Sequence, residues 1–177
     1  GQMNFYPLWL SIKTATISTV VVFVCGVILA YIISRRKFIG KGLIEAIFLL
    51  PLVLPPTVVG FGLLYLFGKN GIIGKFLLDY FDFQIVFTWY GALLASIVVS
   101  FPLMYQSATA AFQQYDRNLE KVALTMGKTP FQVFRTISFP LAWPGLLAGI
   151  VLAFARGLGE FGATLMLAGY IPNVTDT

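Results

Sequence analysis

Histidine is absent from the 177 residues, and cysteine occurs once, as Cys25. Without histidine, the sequence lacks the commonest general base and the commonest metal ligand of proteins. A single cysteine cannot form a disulfide within the chain or supply a cysteine-based metal site. These absences exclude whole classes of catalytic and metal centres, and we expect no bound metal and no cofactor on this chain.

Charged residues are also scarce, at 11% of the chain against the roughly 25% that is typical of soluble domains. Hydrophobic residues make up 58% and concentrate in four runs, at about 8–34, 43–67, 85–112 and 141–169. Each run can cross a bilayer as a helix, which takes roughly 20 residues. Because lipid cannot satisfy open backbone groups, a helix is the form expected. The sequence predicts an all-α, polytopic membrane protein with a single domain, 1–177.

Basic residues cluster on one side of the predicted spans. The first connecting loop and the segment 113–140 contain Arg35, Arg36, Lys37, Lys41, Arg117, Lys121, Lys128 and Arg135. Positive residues in short loops mark the cytoplasmic side. The N-terminus is therefore expected outside and 113–140 inside. We assign the net charge of +5 to this topology and predict no nucleic-acid partner.

The second span is rich in residues that interrupt a helix. It contains Pro51, Pro55 and Pro56, followed by Thr57, Gly60 and Gly62. Each proline removes a backbone donor and leaves a carbonyl unpaired. A broken helix that lines a translocation pathway and a kink that only shapes helix packing both explain this pattern.

The fourth span places two charges, Arg156 and Glu160, among glycines. Lys13 and Glu45 are the other charged residues within the four runs. An ionisable residue inside a span is by default a functional candidate. Residues four apart on a helix can also simply pair with each other. A pathway role and a structural ion pair therefore both remain open.

The stretch EKVALTMGKTPFQVFRTISFP, residues 120–140, is polar and interrupted, unlike the runs around it. One apolar face is predicted from Leu119, Val122, Ala123 and Met126. Gly127 is suited to end this helix in a left-handed conformation, and Thr129, Pro130 and Gln132 fit the start of another. The prediction is two short helices that meet at a sharp corner. Such a corner is either a docking element for another protein or an ordinary connection between spans.

The same stretch resembles the coupling loop of ABC-importer permeases. That loop reads Glu-Ala-Ala, three residues, Gly, nine residues, Ile-x-Leu-Pro. The chain matches it at Ala123, Gly127, Ile137 and Pro140, and departs from it with Lys121, Val122 and Phe139. Glu120 lies one position early and is expected to supply the acidic contact. The resemblance implies that the ATPase-coupling residues are Glu120, Lys121, Ala123, Gly127, Pro130, Ile137 and Pro140.

Residues 50–75 and 154–177 are similar to molybdate/tungstate permeases in particular. Sulfate/thiosulfate permeases are near relatives, but they usually carry a different run where this chain has 161–166. The expected pathway residues are Pro55, Pro56, Thr57, Gly60, Arg156, Glu160, Phe161, Gly162 and Thr164. In the family a further span follows, so we expect this chain to end before it.

The resemblance also implies partners and a mechanism. Two permease copies would form the pore in the plasma membrane of a prokaryote. Two cytoplasmic ATPase subunits would bind ATP and magnesium, and an extracellular binding protein would deliver the oxyanion. The chain itself would then be a non-catalytic subunit that requires the lipid bilayer.

Other functions remain as alternatives. A sulfate or thiosulfate importer is the second choice, and a passive channel or a structural membrane protein is more remote. An intramembrane enzyme is disfavoured, because Glu45 and Glu160 are the only acids within the spans. The sequence cannot separate molybdate from tungstate, because the two oxyanions are nearly isosteric.

Overall fold

The computed structural model describes residues 6–53 and 89–169, with side chains over 8–53 and 91–159. The helices are α1 (Tyr6–Ser34), α2 (Lys41–Val53), α3 (Trp89–Gln113), α4 (Asn118–Thr125), α5 (Pro130–Val133) and α6 (Phe139–Gly169). No strand occurs within these two ranges, and the predicted all-α class is confirmed.

Three of the described helical segments are long and apolar enough to cross a membrane. They are Leu8–Ser34, Gly91–Gln113 and Pro130–Gly159. Of the predicted second span, 43–67, the structure describes α2 as far as Val53. Pro51 lies inside α2, whereas Pro55, Pro56, Thr57 and Gly60 lie outside the described residues.

The last span begins further upstream than the sequence predicted. Instead of a separate short helix, α5 continues through a π-helical turn, Phe134–Ser138, directly into α6. Pro140 follows this turn and has no N–H to donate to the carbonyl of Thr136. A π-helical turn shifts the hydrogen-bond register at that point, so the helical path continues past the proline.

The bundle core is formed by α1, α3 and α6. Its fully buried side chains include Val22 of α1, Met104 and Phe112 of α3, and Leu146 of α6. Arg35, just past α1, bonds to Phe112 in the last turn of α3 and to Glu120 of α4, and Glu120 also bonds to Ser138, just before α6. The ends of α1 and α3 and the beginning of α6 therefore lie at the same end of the bundle. α1 and α3 are therefore parallel, and α6 is antiparallel to them.

α2 packs on the outside of α3 through aromatic rings. The Phe48 ring lies 5.2 Å from the ring centroids of Phe101 and of Tyr105, in edge-on geometry. The Tyr105 hydroxyl donates a hydrogen bond of 3.3 Å to Glu45, one of the charges predicted within the spans. This contact gives the Glu45 carboxylate a polar partner within the bundle.

Small residues let the three core helices approach closely. Ser96 of α3 donates to Ser18 of α1 at 3.0 Å, and Gly157 of α6 lies against both. A Cβ on Gly157 would come within 2.7 Å of the Ser96 hydroxyl and 3.0 Å of the Ser18 hydroxyl. Close packing of this kind is the usual way in which helices associate in membranes.

Candidate coupling site

The corner between α4 and α5 begins with a tightly hydrogen-bonded helix end. The N–H of Lys128 donates to the carbonyl of Ala123 at 3.2 Å, and the N–H of Gly127 donates to Leu124 at 3.1 Å. This pair of bonds is the Schellman motif, which requires a left-handed residue just past the helix. Gly127 has a φ of +92° and supplies that residue. The predicted conformation of Gly127 is confirmed.

The corner continues at once into a capped helix start. The Thr129 hydroxyl accepts a hydrogen bond from the N–H of Gln132 at 3.2 Å, and the Gln132 side chain accepts one from the N–H of Thr129 at 3.0 Å. Pro130 occupies the first helical position, where its missing N–H removes nothing from the helix. The capping box predicted at Thr129–Gln132 is confirmed, and both halves of the corner satisfy their own backbone.

The large apolar side chains of the corner face outward. Val122, Met126 and Phe131 are 56%, 77% and 71% exposed. Lys121 and Lys128 are exposed beside them. Within α4 the buried residues are Glu120 and Ala123. A cluster of exposed apolar side chains with a charged rim is typical of a protein-binding surface.

Glu120 is held inside the bundle by a hydrogen-bonded network. Its carboxylate accepts from Arg35 Nε at 2.8 Å, from Arg35 Nη2 at 3.0 Å and from the Tyr115 hydroxyl at 2.7 Å, and also from the hydroxyl of Ser138. Arg35 in turn donates to the carbonyl of Phe112 at 3.1 Å. The two contacts between Arg35 and Glu120 form a bidentate, charge-assisted pair.

The network shifts the pKa of each of its titrating groups. Burial alone would raise the pKa of the Glu120 carboxyl, but hydrogen bonds from Arg35, Ser138 and Tyr115 and the charge of Arg35 outweigh it, so the pKa lies below its ordinary value. Burial lowers the pKa of Arg35, whereas its hydrogen bond and charge interaction with Glu120 raise it, and the net result is a raised pKa. Burial, opposed by the Ser138 hydrogen bond and reinforced by Glu120, raises the pKa of Tyr115 to about 12. Arg35 and Glu120 are both charged at neutral pH.

The predicted coupling residues divide between two environments. Lys121, Gly127, Pro130 and Pro140 are exposed, Ile137 is half-buried, and Glu120 and Ala123 are buried. The carboxylate of Glu120 is directed into its own chain. The acidic contact with an ATPase therefore stays a prediction, and the contact that the structure describes is with Arg35.

Of the predicted pathway residues, Arg156 is the one whose side chain the structure describes. Arg156 is half-buried on α6. The side chains of Glu160, Phe161, Gly162 and Thr164 lie outside the described ones, as do the residues of the second span. The pathway assignment and the pairing of Arg156 with Glu160 stay predictions.

Sequence reasoning missed Arg35, Tyr115 and Ser138 as parts of the site. In the sequence, Arg35 is one of several basic residues that indicate topology. Its partner Glu120 lies 85 positions away. Nothing in the local pattern distinguishes Arg35 from Arg36 or Lys37, so the pairing becomes visible only in the packed bundle.

Comparison with known proteins identifies the family. Residues 22–175 match the family described as the binding-protein-dependent transport system inner membrane component. The chain belongs to this family. With its long apolar helices, it is a multi-pass permease of the ABC-transporter class, typical of a prokaryotic plasma membrane.

Individual relatives are similar over almost the whole permease chain. YvgM of Bacillus subtilis, described as a molybdenum transport system permease, is 49% identical over 98% of this chain and 76% of its own length. The molybdenum transport system permease ModB of Escherichia coli is 44% identical over 97% of this chain and 76% of its own length. A relative described as a sulfate transport system permease, cysT of Helicosporidium, is 37% identical over 92% of this chain and 60% of its own length.

Proposed function

We propose that this chain is the membrane-spanning subunit of an ATP-driven importer of molybdate or tungstate, and that two copies form the pore. Identities of 49% and 44% to molybdenum transport permeases support this substrate over sulfate, for which the corresponding identity is 37%. In this proposal the N-terminus lies outside and the α4–α5 corner inside. The basic residues at the corner end of the bundle support that orientation.

The observation that carries the proposal is the corner itself. It has a fixed backbone, because a Schellman motif and a capping box close it from both sides. It also presents Met126 and Phe131, two large apolar side chains that are exposed in the described part of the structure. A rigid element with apolar anchors can enter a surface cleft on a partner at a small cost in conformational entropy. A passive channel would have no use for such an element.

The partner in this proposal is a cytoplasmic ATPase, two copies of which bind the two corners. ATP and magnesium are bound and consumed there, and the permease chain holds no cofactor and performs no catalysis. Closure of the ATPase dimer moves the corners, and the spans respond. An extracellular binding protein delivers the oxyanion to the outer mouth of the pore.

The pathway is assigned to the proline-rich second span and to the glycine-rich part of α6. We place Pro55, Pro56, Thr57, Gly60, Arg156, Glu160, Phe161, Gly162 and Thr164 along it. An unpaired anion in a low-dielectric region costs several kcal/mol. The guanidinium of Arg156 would lower that barrier, and Glu160 would keep the site from holding the anion too tightly.

The test is uptake by the complete transporter. The full-length permease, its ATPase and its binding protein are reconstituted in vesicles, and uptake of labelled molybdate is measured with competing tungstate or sulfate. We expect uptake that requires ATP and is inhibited by tungstate but little by sulfate. Equal competition by sulfate would favour the sulfate importer, and uptake without ATP would favour a channel.

A further inference from the structure

The α4 helix is attached to the bundle mainly by charged and polar contacts. Of the eight residues in α4, only Glu120 and the small Ala123 are buried, while Leu119 and Val122 are largely exposed. Ahead of α4, the Arg117 side chain donates to the carbonyl of Ser34 at the end of α1. Apolar packing therefore does little to hold α4 in position on the bundle. The hydrogen bonds of the Glu120 carboxylate hold it there instead.

The contacts of Glu120 join four separate parts of the chain. Arg35 follows α1, Tyr115 follows α3, and Ser138 ends the π-helical turn that leads into α6. Arg35 also bonds to the Phe112 carbonyl in the last turn of α3. A displacement of α4 must therefore either move the ends of α1, α3 and α6 with it or break a buried charge-assisted network.

The geometry of the pair makes it a stiff connection. The guanidinium bonds to both carboxylate oxygens of Glu120, and such a fork fixes orientation as well as distance. The Arg35 guanidinium also lies over the Tyr31 ring, 5.1 Å from its centroid. An ammonium at this position would keep the charge but not the planar fork or the stacking.

We propose that the Arg35–Glu120 pair is the joint that transmits movement of the α4–α5 corner to the ends of α1 and α3. The inference rests on the proposed function. It assigns Glu120 and Arg35 as positioning residues for the transport step, rather than as residues that bind the ATPase. The π-helical turn at Phe134–Ser138 supports it, because such turns are frequent at functional sites and this one carries Ser138.

The experiment compares ATP hydrolysis with oxyanion uptake in the reconstituted complex. The variants are Glu120→Gln, which removes the charge, and Arg35→Lys, which keeps the charge but loses the fork. Arg36→Lys is the matched control, because Arg36 is the adjacent, exposed arginine. The readouts are ATPase retained on purification, ATP hydrolysed, and molybdate taken up per ATP.

We expect both variants to retain the ATPase and to hydrolyse ATP, with uptake per ATP reduced roughly two- to thirty-fold, the range seen for residues that carry coupling between sites. The Arg36→Lys control should match the parent. If Glu120→Gln does not assemble, Arg35→Lys decides the question by itself.

Two outcomes would contradict the proposal that the Arg35–Glu120 pair transmits movement of the corner. One is a parental ratio of uptake to ATP in Arg35→Lys. The other is uptake that falls only in proportion to lost ATPase, which would make the pair a structural support for docking. Failure of the parent complex to take up any oxyanion with ATP would instead refute the proposed function, so the two results are distinguishable.

Discussion

Substitution of Gly127 perturbs the corner through the backbone alone. The residue has a φ of +92°, and a Cβ added to it would meet no atom within 4 Å. A larger side chain is therefore not excluded by lack of space. The free-energy cost of the substitution comes from the backbone, because an L-residue must be held in a left-handed conformation. The Schellman hydrogen bonds of Gly127 and Lys128 require that conformation.

That cost can be ranked by residue type. Left-handed backbone costs an L-residue roughly 1–2 kcal/mol, and asparagine tolerates it better than alanine. A β-branched residue with positive φ is a genuine outlier and is expected at or above the upper end of the range. If the strain opens the corner and docking must close it again, 1.4 kcal/mol corresponds to about ten-fold weaker binding of the ATPase.

The assay measures ATPase binding to purified permease for Gly127→Asn, Gly127→Ala and Gly127→Val, together with the yield in membranes. Gly42→Ala is the control, because Gly42 is also in open space but has no positive φ. We expect binding to weaken in the order Asn, Ala, Val, with the membrane yield and the control unchanged. If Gly127→Val binds the ATPase as tightly as the parent, the backbone of Gly127 does not control docking. If the membrane yield falls together with binding, the substitution impairs folding rather than the corner alone.

Three further changes test the packing, the pathway and the network. In Gly145→Ala the new Cβ would lie 2.6 Å from the Ala111 Cβ and 3.3 Å from its Cα, so we expect a loss of about 1–3 kcal/mol, partly offset by helix propensity. The thermal midpoint in detergent should fall below that of Gly42→Ala, and an unchanged midpoint would contradict the close approach of α3 and α6. Arg156→Gln should reduce vesicle uptake of every oxyanion alike with their ranking unchanged, and uptake at the parental rate would leave Arg156 a structural or interfacial residue. Because the folded pKa of Glu120 is lowered, its contribution to stability is complete above the ordinary carboxyl value of 4.5 and is lost as pH falls through the folded value. The difference in unfolding midpoint between the parent and Glu120→Gln should therefore stay constant from about pH 8 to pH 5 and shrink only at lower pH; a decrease already between about pH 8 and 6 would show that another group dominates.

The corner could be predicted because its hydrogen bonds are local. Each bond of the Schellman motif and of the capping box joins residues no more than five apart, as Lys128 is joined to Ala123. Glycine, threonine and proline at the required spacing therefore carry the information by themselves. The long apolar runs are equally local signals, and the class of fold followed from them.

The network could not be predicted, because its partners are far apart in sequence. Arg35 contacts Phe112 and Glu120, which lie 77 and 85 positions away. Arg35, Arg36 and Lys37 are equivalent in the sequence, and the packing of α1 against α3 decides which of them faces inward. The apolar pattern of α4 likewise does not reveal that Val122 and Met126 face outward while Glu120 faces the bundle.

The two kinds of contact separate the shape of the corner from its attachment. The hydrogen bonds around Gly127 and Thr129 involve only the corner, so they fix its shape whatever the bundle does. The contacts of Glu120 with Arg35 and Ser138 fix where the corner stands relative to α1 and α6. If docking depends on shape and transmission depends on attachment, Gly127→Ala should alter ATPase binding and Glu120→Gln should alter uptake per ATP. Because the hydrogen bonds around Gly127 and Thr129 involve no side chain of the Arg35–Glu120 network, the double variant should combine the two defects nearly additively.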